Sequence, residues 1–540
     1  MCIYAHAMRA RKNNAHTHTK EKRARKKTTG QQNNRKKPTA RNRPHTAMLE
    51  KLAKQTAIYG ISTILGRFLS YLLTPLYTRV FATGEYGIVT DVYALIPFAL
   101  VVLNMGMESS YFRFAAKAEA AGGDVHAAKQ RLFATTWGIT SLAAALFFAA
   151  VWIFDSSVSN LMGEAYVAHP QYVVIVAAIV FFDVSCCIPF SRLRQQGKAL
   201  RFVLLKLLNI IMQVGFAIGF CVAGLFSSDF GVGWVLVANL LSSIITWLLV
   251  LVVADPVLPR INRKVLAAVL VYSMPLLVSG IAGTANELLD RQLIKYLVPE
   301  GAMEQLGIYG AIAKIAVVMT LFTQMYRLAA EPFFLSNFKK DDFVEMNAAA
   351  MKYYIIVAMG VFLGIGLFKD VFALIVGKDF RNGIDILPVI LGGNVLSGVW
   401  LNLSFWYKRE ERTSLAIWIT FAGLVATFGA GLLLVPRYGY EGAAWGRLVS
   451  EAVMVAVSFA LNRALYPTPY DLRGIALYVA SGAAFYLAGS WFSTVLHDSV
   501  GLSYAVNALL MVLFFTLAVR REKIDVAGLL RSILKPITKR

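Results

Sequence analysis

The 540-residue chain is 57% apolar and only 16% charged, with a mean hydropathy of +0.58. Soluble domains carry about 45–50% apolar and about 25% charged residues, so this composition places most of the chain in hydrocarbon. The net charge of +23 is concentrated at the start, where residues 1–54 hold 16 Lys/Arg against Glu21 and Glu50, and no nucleic-acid partner is expected for the body of the chain. Cys2, Cys186, Cys187 and Cys221 have no paired spacing, which excludes a disulfide framework and a cysteine zinc site.

Residues 1–47 are rich in Arg, Lys, Asn, Thr and His and lack an apolar period. They cannot bury enough surface to fold and read as a disordered basic tail. Met48-Leu-Glu-Lys51 begins a short amphipathic lead and reads as a natural start. From Lys54 onward fourteen apolar stretches follow, the first centred near residue 67 and the last near 510. Each meets the requirement of about 20 apolar residues for a membrane helix, and no loop exceeds roughly 25 residues. There is no room for a soluble catalytic domain and no G-x-x-x-x-G-K-[ST] sequence. The expectation is an all-α polytopic membrane protein that is not an enzyme and holds no cofactor or metal.

Orientation follows from the Lys/Arg bias of short loops. One alternate set of loops carries twenty Lys/Arg, from Arg113 to Arg473, and the opposite set carries seven, from Arg79 to Arg437. The rich set goes with the basic N-terminus, which predicts a multi-pass membrane protein with both termini cytoplasmic.

The first six spans and the next six share landmarks about 211–216 residues apart. Tyr59-Gly60 matches Tyr272-Ser273, Arg79 matches Arg291, and Gly231-Val-Gly-Trp234 matches Gly442-Ala-Ala-Trp445. A unit of six spans has even parity, so the copies are parallel and the substrate is expected between them. The predicted division is an N-lobe over 48–255, a C-lobe over 256–466, two further spans over 467–520 and a basic cytoplasmic tail over 521–540.

The stretch Thr74-Pro-Leu-Tyr-Thr-Arg-Val-Phe-Ala-Thr-Gly-Glu-Tyr-Gly87 resembles the first hairpin of polysaccharide-type lipid flippases. Asn104-Met-Gly-Met-Glu-Ser-Ser-Tyr-Phe-Arg113 is similar to the end of their second span. Met274-Pro-Leu-Leu, Leu289-Asp-Arg291 and Gly307-Ile-Tyr-Gly310 are similar to their seventh and eighth spans. The likeness covers residues 50–465 and fades over the last two spans. These are O-antigen (Wzx-type) flippases of the multidrug/oligosaccharidyl-lipid/polysaccharide exporter superfamily. The resemblance implies about fourteen transmembrane helices, arranged as two six-helix lobes plus two C-terminal helices that work by alternating access. It implies as partners a polyprenyl-pyrophosphate-linked oligosaccharide, membrane lipids and a glycan polymerase.

A charge at bilayer depth costs about 2.5–3.5 kcal/mol on insertion scales, so it faces a cavity or a partner. Arg67 in the first span and Lys314 in the eighth are expected on opposite sides of a central cleft, where two cations would neutralise a pyrophosphate. Asp91 and Glu287 are candidate coupling carboxylates, since a partly dry carboxylate can exchange protons with a gradient. Asp290 next to Arg291, and Arg447 with Glu451 at i, i+4, read as structural ion pairs. Asp183 is expected to reach Arg192 or Arg194. A cation-coupled exporter of small molecules is the alternative, and its cleft should favour carboxylates. A glycan polymerase or ligase would need a long external loop, which the spacing of the spans leaves out.

Overall fold

The computed structural model describes residues 71–254, 259–338, 340–496, 499–523 and 525, with 335 and 336 in backbone only. The basic segment 1–47, Arg67 and most of 521–540 lie outside the described residues. Among the described residues every long element is a helix and no strand is present. Hydrocarbon cannot satisfy backbone N–H and C=O groups, so an apolar chain that crosses it without closing a barrel must be helical.

The longer helices, in order, are α1 (Leu73–Val80), α2 (Thr83–Asn104), α3 (Met107–Ala121), α4 (Val125–Ile153), α5 (Gln171–Gln195), α6 (Ala199–Val222) and α7 (Gly233–Val253). The second half holds α8 (Arg263–Leu297), α9 (Ala302–Ile315), α10 (Val317–Asn337), α11 (Phe343–Gly366), α12 (Leu387–Arg409) and α13 (Ser414–Leu465), and α14 (Leu472–Val495) and α15 (Val500–Glu522) follow. Twelve spans are long and apolar enough to cross a membrane when the bent pair α9–α10 is taken as one. The 52 residues of α13 would reach about 78 Å as a straight helix, against a hydrocarbon core of about 30 Å. Gly439, at φ 54° and ψ −131°, instead folds α13 into a hairpin, and Ser450 Oγ of its second arm donates to the Gly423 carbonyl of its first at 2.9 Å. Counting that hairpin twice gives thirteen crossings among the described residues. They correspond to the second to fourteenth of the spans expected from the sequence, and the first is centred outside the described residues.

Polar caps start the helices at the basic loops. Asp124 Oδ1 accepts from the Ala127 N–H at 3.0 Å, Asn262 Oδ1 from Lys264 and Val265, and Asp471 Oδ1 from Gly474 at 2.9 Å. Each cap satisfies donors that a helix start leaves open. The 46° bend between α9 and α10 falls at Ala316. Its freed carbonyl accepts from Asn394 Nδ2 of α12 at 3.3 Å, so the break is supported from a neighbouring helix.

Helix α2 packs against α8 and α9 from the second half, whereas α10 packs against α11 and α12. The α2–α9 contact is so close that a Cβ on Gly87 would overlap the Met303 carbonyl, and one on Gly307 the Thr83 carbonyl. Helix α14 packs between α11 and α15. Lys352 on α11 meets Glu522 on α15 at 2.6 Å and Asp471 at 3.5 Å, and Tyr478 Oη donates to Glu522 at 2.8 Å.

Gly307→Leu should therefore force α2 and α9 apart, at a cost of about 1–3 kcal/mol for overpacking. Its melting temperature in detergent is expected to fall. Gly429→Leu points into open space and should melt like the parent. Equal melting of the two variants would show that the close crossing carries no stability.

Candidate functional site

Three helices turn polar stripes toward one point. On α2, Tyr86, Thr90, Tyr93 and Pro97 recur at i, i+4, i+7 and i+11, which is one helical face. On α8 the stripe is Thr284, Glu287 and Arg291, and on α9 it is Gly310 and Lys314. With Thr74 and Tyr77 from α1 and Gln213 from α6 they enclose a cavity of about 340 Å³. The first-half wall is tyrosine-rich, and Gln213 Nε2 donates to Tyr93 Oη at 2.9 Å. The second-half wall carries the charges. Among the described lining residues these are Glu287, Arg291 and Lys314, a net charge of +1.

Lys314 stands in the last turn of α9, just before the bend, with its Nζ 4.9 Å from the Tyr71 ring centroid. Its side chain is exposed to the cavity. The Arg291 Nη1 donates to the Glu287 carbonyl at 2.6 Å and lies 3.4 Å from Asp290 Oδ1. Arg291 was expected to act only as the partner of Asp290, yet it also lines the cavity beside Lys314. Glu287 is exposed on the same wall.

Behind that wall lies a polar layer between α8 and α13. Asp290 is buried and accepts from Tyr309 Oη at 2.6 Å and from the Arg291 backbone N–H at 2.8 Å. Arg447 sits between two carboxylates, 3.8 Å from Asp290 Oδ2 and 3.5 Å from Glu451 Oε1. The pairing of Arg447 with Glu451 is thus loose and shared. Next to it, Asn286 Oδ1 accepts from Thr427 Oγ1 at 2.6 Å and from Ser450 Oγ at 3.3 Å.

Asp91 does not line the cavity. It points the other way, fully buried, and takes three donors: Lys295 Nζ at 2.5 Å, Tyr166 Oη at 2.7 Å and Gln292 Nε2 at 2.7 Å. Lys295 is itself buried and lies 4.8 Å from the Tyr166 ring centroid. This knot ties α2 to α8 near the Lys/Arg-poor face. Above it, Arg79 donates to the carbonyls of Leu374 (2.8 Å) and Ile375 (3.4 Å), and the Gly377 N–H donates to Thr78 Oγ1 at 3.0 Å. With the glycine crossing of α2 and α9, these contacts close the cavity toward that face. Toward the basic face α10 bends away, while α3 stays on α8, with Arg113 4.1 Å from the Tyr272 ring centroid.

Asp183 departs from expectation. Its Oδ1 accepts from Ser243 Oγ at 2.8 Å on the adjacent α7, whereas Arg194 pairs with Glu108 and Arg192 covers the Phe133 ring. Both arginines lie two to three turns along α5 from Asp183, and partners on other helices are nearer. Arg67, expected opposite Lys314, lies outside the described residues. The tyrosine wall and the Asp91–Lys295 knot were not read from the sequence. The i, i+4, i+7 stripe on α2 was the available signal for the first, and nothing local announces the second.

A family model described as "Polysaccharide biosynthesis protein" matches residues 52–338. Among solved structures, lipid II flippase MurJ in an inward closed conformation is similar with a TM-score of 0.66 at 13% identity, over 87% of this chain and 100% of that one. A multidrug resistance MATE family transporter of the MOP superfamily, inward-facing, gives 0.62 at 16% identity over 74% and 94%. A MOP superfamily transporter from Pyrococcus furiosus gives 0.51 at 16% over 79% and 96%. At these identities the likeness is one of fold. A comparison with curated proteins finds no significant match.

Removing one partner of a buried ion pair leaves the other charge uncompensated, at about 3–5 kcal/mol. Asp91→Asn and Lys295→Met should each destabilise the protein on that scale. The double variant should lose clearly less than the two losses added together, as a double-mutant cycle of detergent unfolding would read. Strict additivity would show that the two side chains do not interact.

Proposed function

As the chain belongs to the polysaccharide biosynthesis protein family, we propose that it flips polyprenyl-pyrophosphate-linked oligosaccharide units across the bacterial inner membrane. The product would serve surface polysaccharide or O-antigen synthesis of the lipopolysaccharide type. The supporting observation is the cavity between the two halves, where Arg291 and Lys314 share a wall. A pyrophosphate diester carries two negative charges, and in a water-poor site fixed cations must replace its lost hydration. Lys314 and Arg67 are assigned to the anion, with Arg291 beside Lys314 adding a planar fork of donors. The two cations on the described wall weigh against a cationic drug as cargo, and hence against the small-molecule exporter reading.

The lobes 48–255 and 256–466 would rock about the cavity, with 467–520 flanking the second. The Lys/Arg bias of the loops assigns the basic face, both termini and the 521–540 tail to the cytoplasm. In that frame, the contacts at the Lys/Arg-poor face make this the state closed to the outside. Of the two proposed coupling carboxylates, Asp91 is saturated by three donors and serves as a latch between the halves. Glu287, on the cavity wall, sets the charge the ligand meets. Membrane lipids surround the apolar faces, and a glycan polymerase would receive the flipped unit.

Loss of one charge-assisted hydrogen bond costs about 1.5–3 kcal/mol, roughly tenfold to a hundredfold in affinity. Lys314→Ala and Arg67→Ala should each reduce glycan export in cells by that order while the protein remains inserted. Arg67→Lys should keep part of the activity, because the charge survives without the fork geometry. Undiminished export by both alanine variants at equal expression would refute the anion site. Independently, a cysteine near Asp229 should be labelled from outside intact cells and one near Arg412 should not, and the reverse pattern would overturn the orientation.

A further inference from the structure

The polar layer behind the cavity wall holds a carboxylate that the flippase reading does not use. Glu451 is buried, and among the described residues its Oε1 has only Arg447 at 3.5 Å and its Oε2 is buried without a hydrogen-bond partner. Asp290, in the same layer, is much better supplied, by the Tyr309 hydroxyl, the Arg291 N–H, the Arg291 guanidinium and the far side of Arg447. The layer is electrically balanced only while both guanidiniums serve it, two against two carboxylates.

Arg291 belongs to two places at once, since it also faces the cavity. An anion bound there competes with Asp290 for it. If Arg291 swings to the anion, Arg447 alone must serve Asp290 and Glu451, and the dry layer acquires an uncompensated negative charge. That state is costly unless a proton enters. The groups facing Glu451 decide where the proton goes. They are Arg447 on its own helix and Glu287 on α8, and beyond Arg447 lie Asp290 on α8 and Tyr309 on α9. From α12 the neighbour is Gly393, where an added Cβ would lie 4.0 Å from Glu451 Cγ, and it brings no charge. Glu287 is exposed to the cavity and can hydrate, and Asp290 keeps its donors. Glu451 has neither.

We propose that Glu451 is a proton-binding site filled when a diphosphate in the cavity draws Arg291 away from Asp290. The proton comes from bulk water and binds at Oε2, so a ligand with two negative charges enters together with one positive charge. This rests on the reading of the cavity as a diphosphate site. It makes the pair Arg291–Asp290 and the pair Arg447–Glu451 a charge relay between the ligand and the second half of the protein.

The full chain in detergent is titrated with undecaprenyl-diphosphate-linked N-acetylglucosamine, a diester with two negative charges and no titrating phosphate near neutral pH, by calorimetry in two buffers of different ionisation enthalpy. The parent should take up about one proton per diphosphate bound, and Glu451→Gln should bind it with that uptake lost. Binding without uptake by the parent, or undiminished uptake by Glu451→Gln, overturns the relay. A second arm needs no ligand. Arg291→Ala imitates the departure of Arg291, so its infrared spectrum at neutral pH should show a carboxylic-acid C=O band that is lost in Arg291→Ala/Glu451→Gln. An Arg291→Ala protein without that band overturns the proton site. If the parent does not bind this diphosphate diester, the diphosphate reading falls, and the infrared arm alone upholds or overturns the proton site at Glu451.

Discussion

The ion pair between Asp91 and Lys295 carries the closed end of the cavity. Both groups are buried, and their placement is tolerable only because Tyr166 and Gln292 fill the remaining acceptor positions of the carboxylate. The pair draws α2 onto α8, and with α2 held there its neighbouring residues Thr90 and Tyr93 face the space in front of Glu287 and Arg291. The glycine crossing depends on the same alignment, since Gly87 and Gly307 meet backbone only when α2 lies flush on α9. One buried charge pair thus sets the register in which the tyrosine wall and the cationic wall confront each other.

The two walls offer different chemistry. Tyr77, Tyr86 and Tyr93 present flat apolar faces with hydroxyl tips, and the Tyr77 hydroxyl is buried without a hydrogen-bond partner among the described residues. Arg291 and Lys314 present fixed positive charge. A ligand with a neutral polar part and an anionic part can satisfy both walls in one orientation. A uniformly apolar ligand would strand the cations, which is the costlier mismatch in a low-dielectric space.

Much of the architecture was legible because hydrocarbon allows few solutions. The apolar stretches that fall among the described residues are helices, and two of them are the arms of the hairpin whose tip is Pro436–Gly439. Lys314 was legible as a cavity residue because a lysine in the middle of an apolar stretch needs water or a partner. What could not be read were contacts between distant segments. Nothing near Asp91 foretells Lys295, more than two hundred residues away, and nothing near Asp183 foretells Ser243. Local spacing gave the Asp290–Arg291 pair but not the second surrounding of Arg291, for the same reason. Its neighbour Asp290 was visible in the chain, but the cavity on its other side exists only once α1, α2 and α9 are assembled around it.

The choice of an ion pair as latch has a thermodynamic consequence under the proposed mechanism, in which the halves part and rejoin. Separating an apolar contact exposes surface at about 25 cal/mol per Å², and nothing in the open state returns that free energy. Separating a buried ion pair into a water-filled opening is different. The attraction is lost, but each ion regains hydration that burial had removed, and the two terms are of similar size. The Asp91–Lys295 knot is therefore strong against loss of one partner, which leaves a dry unpaired charge, and weak against flooding, which hydrates both. A latch of that kind holds the halves in a defined register when closed and adds little barrier once water reaches it. That asymmetry suits the proposed cycle, in which the cavity opens repeatedly to one face and seals again.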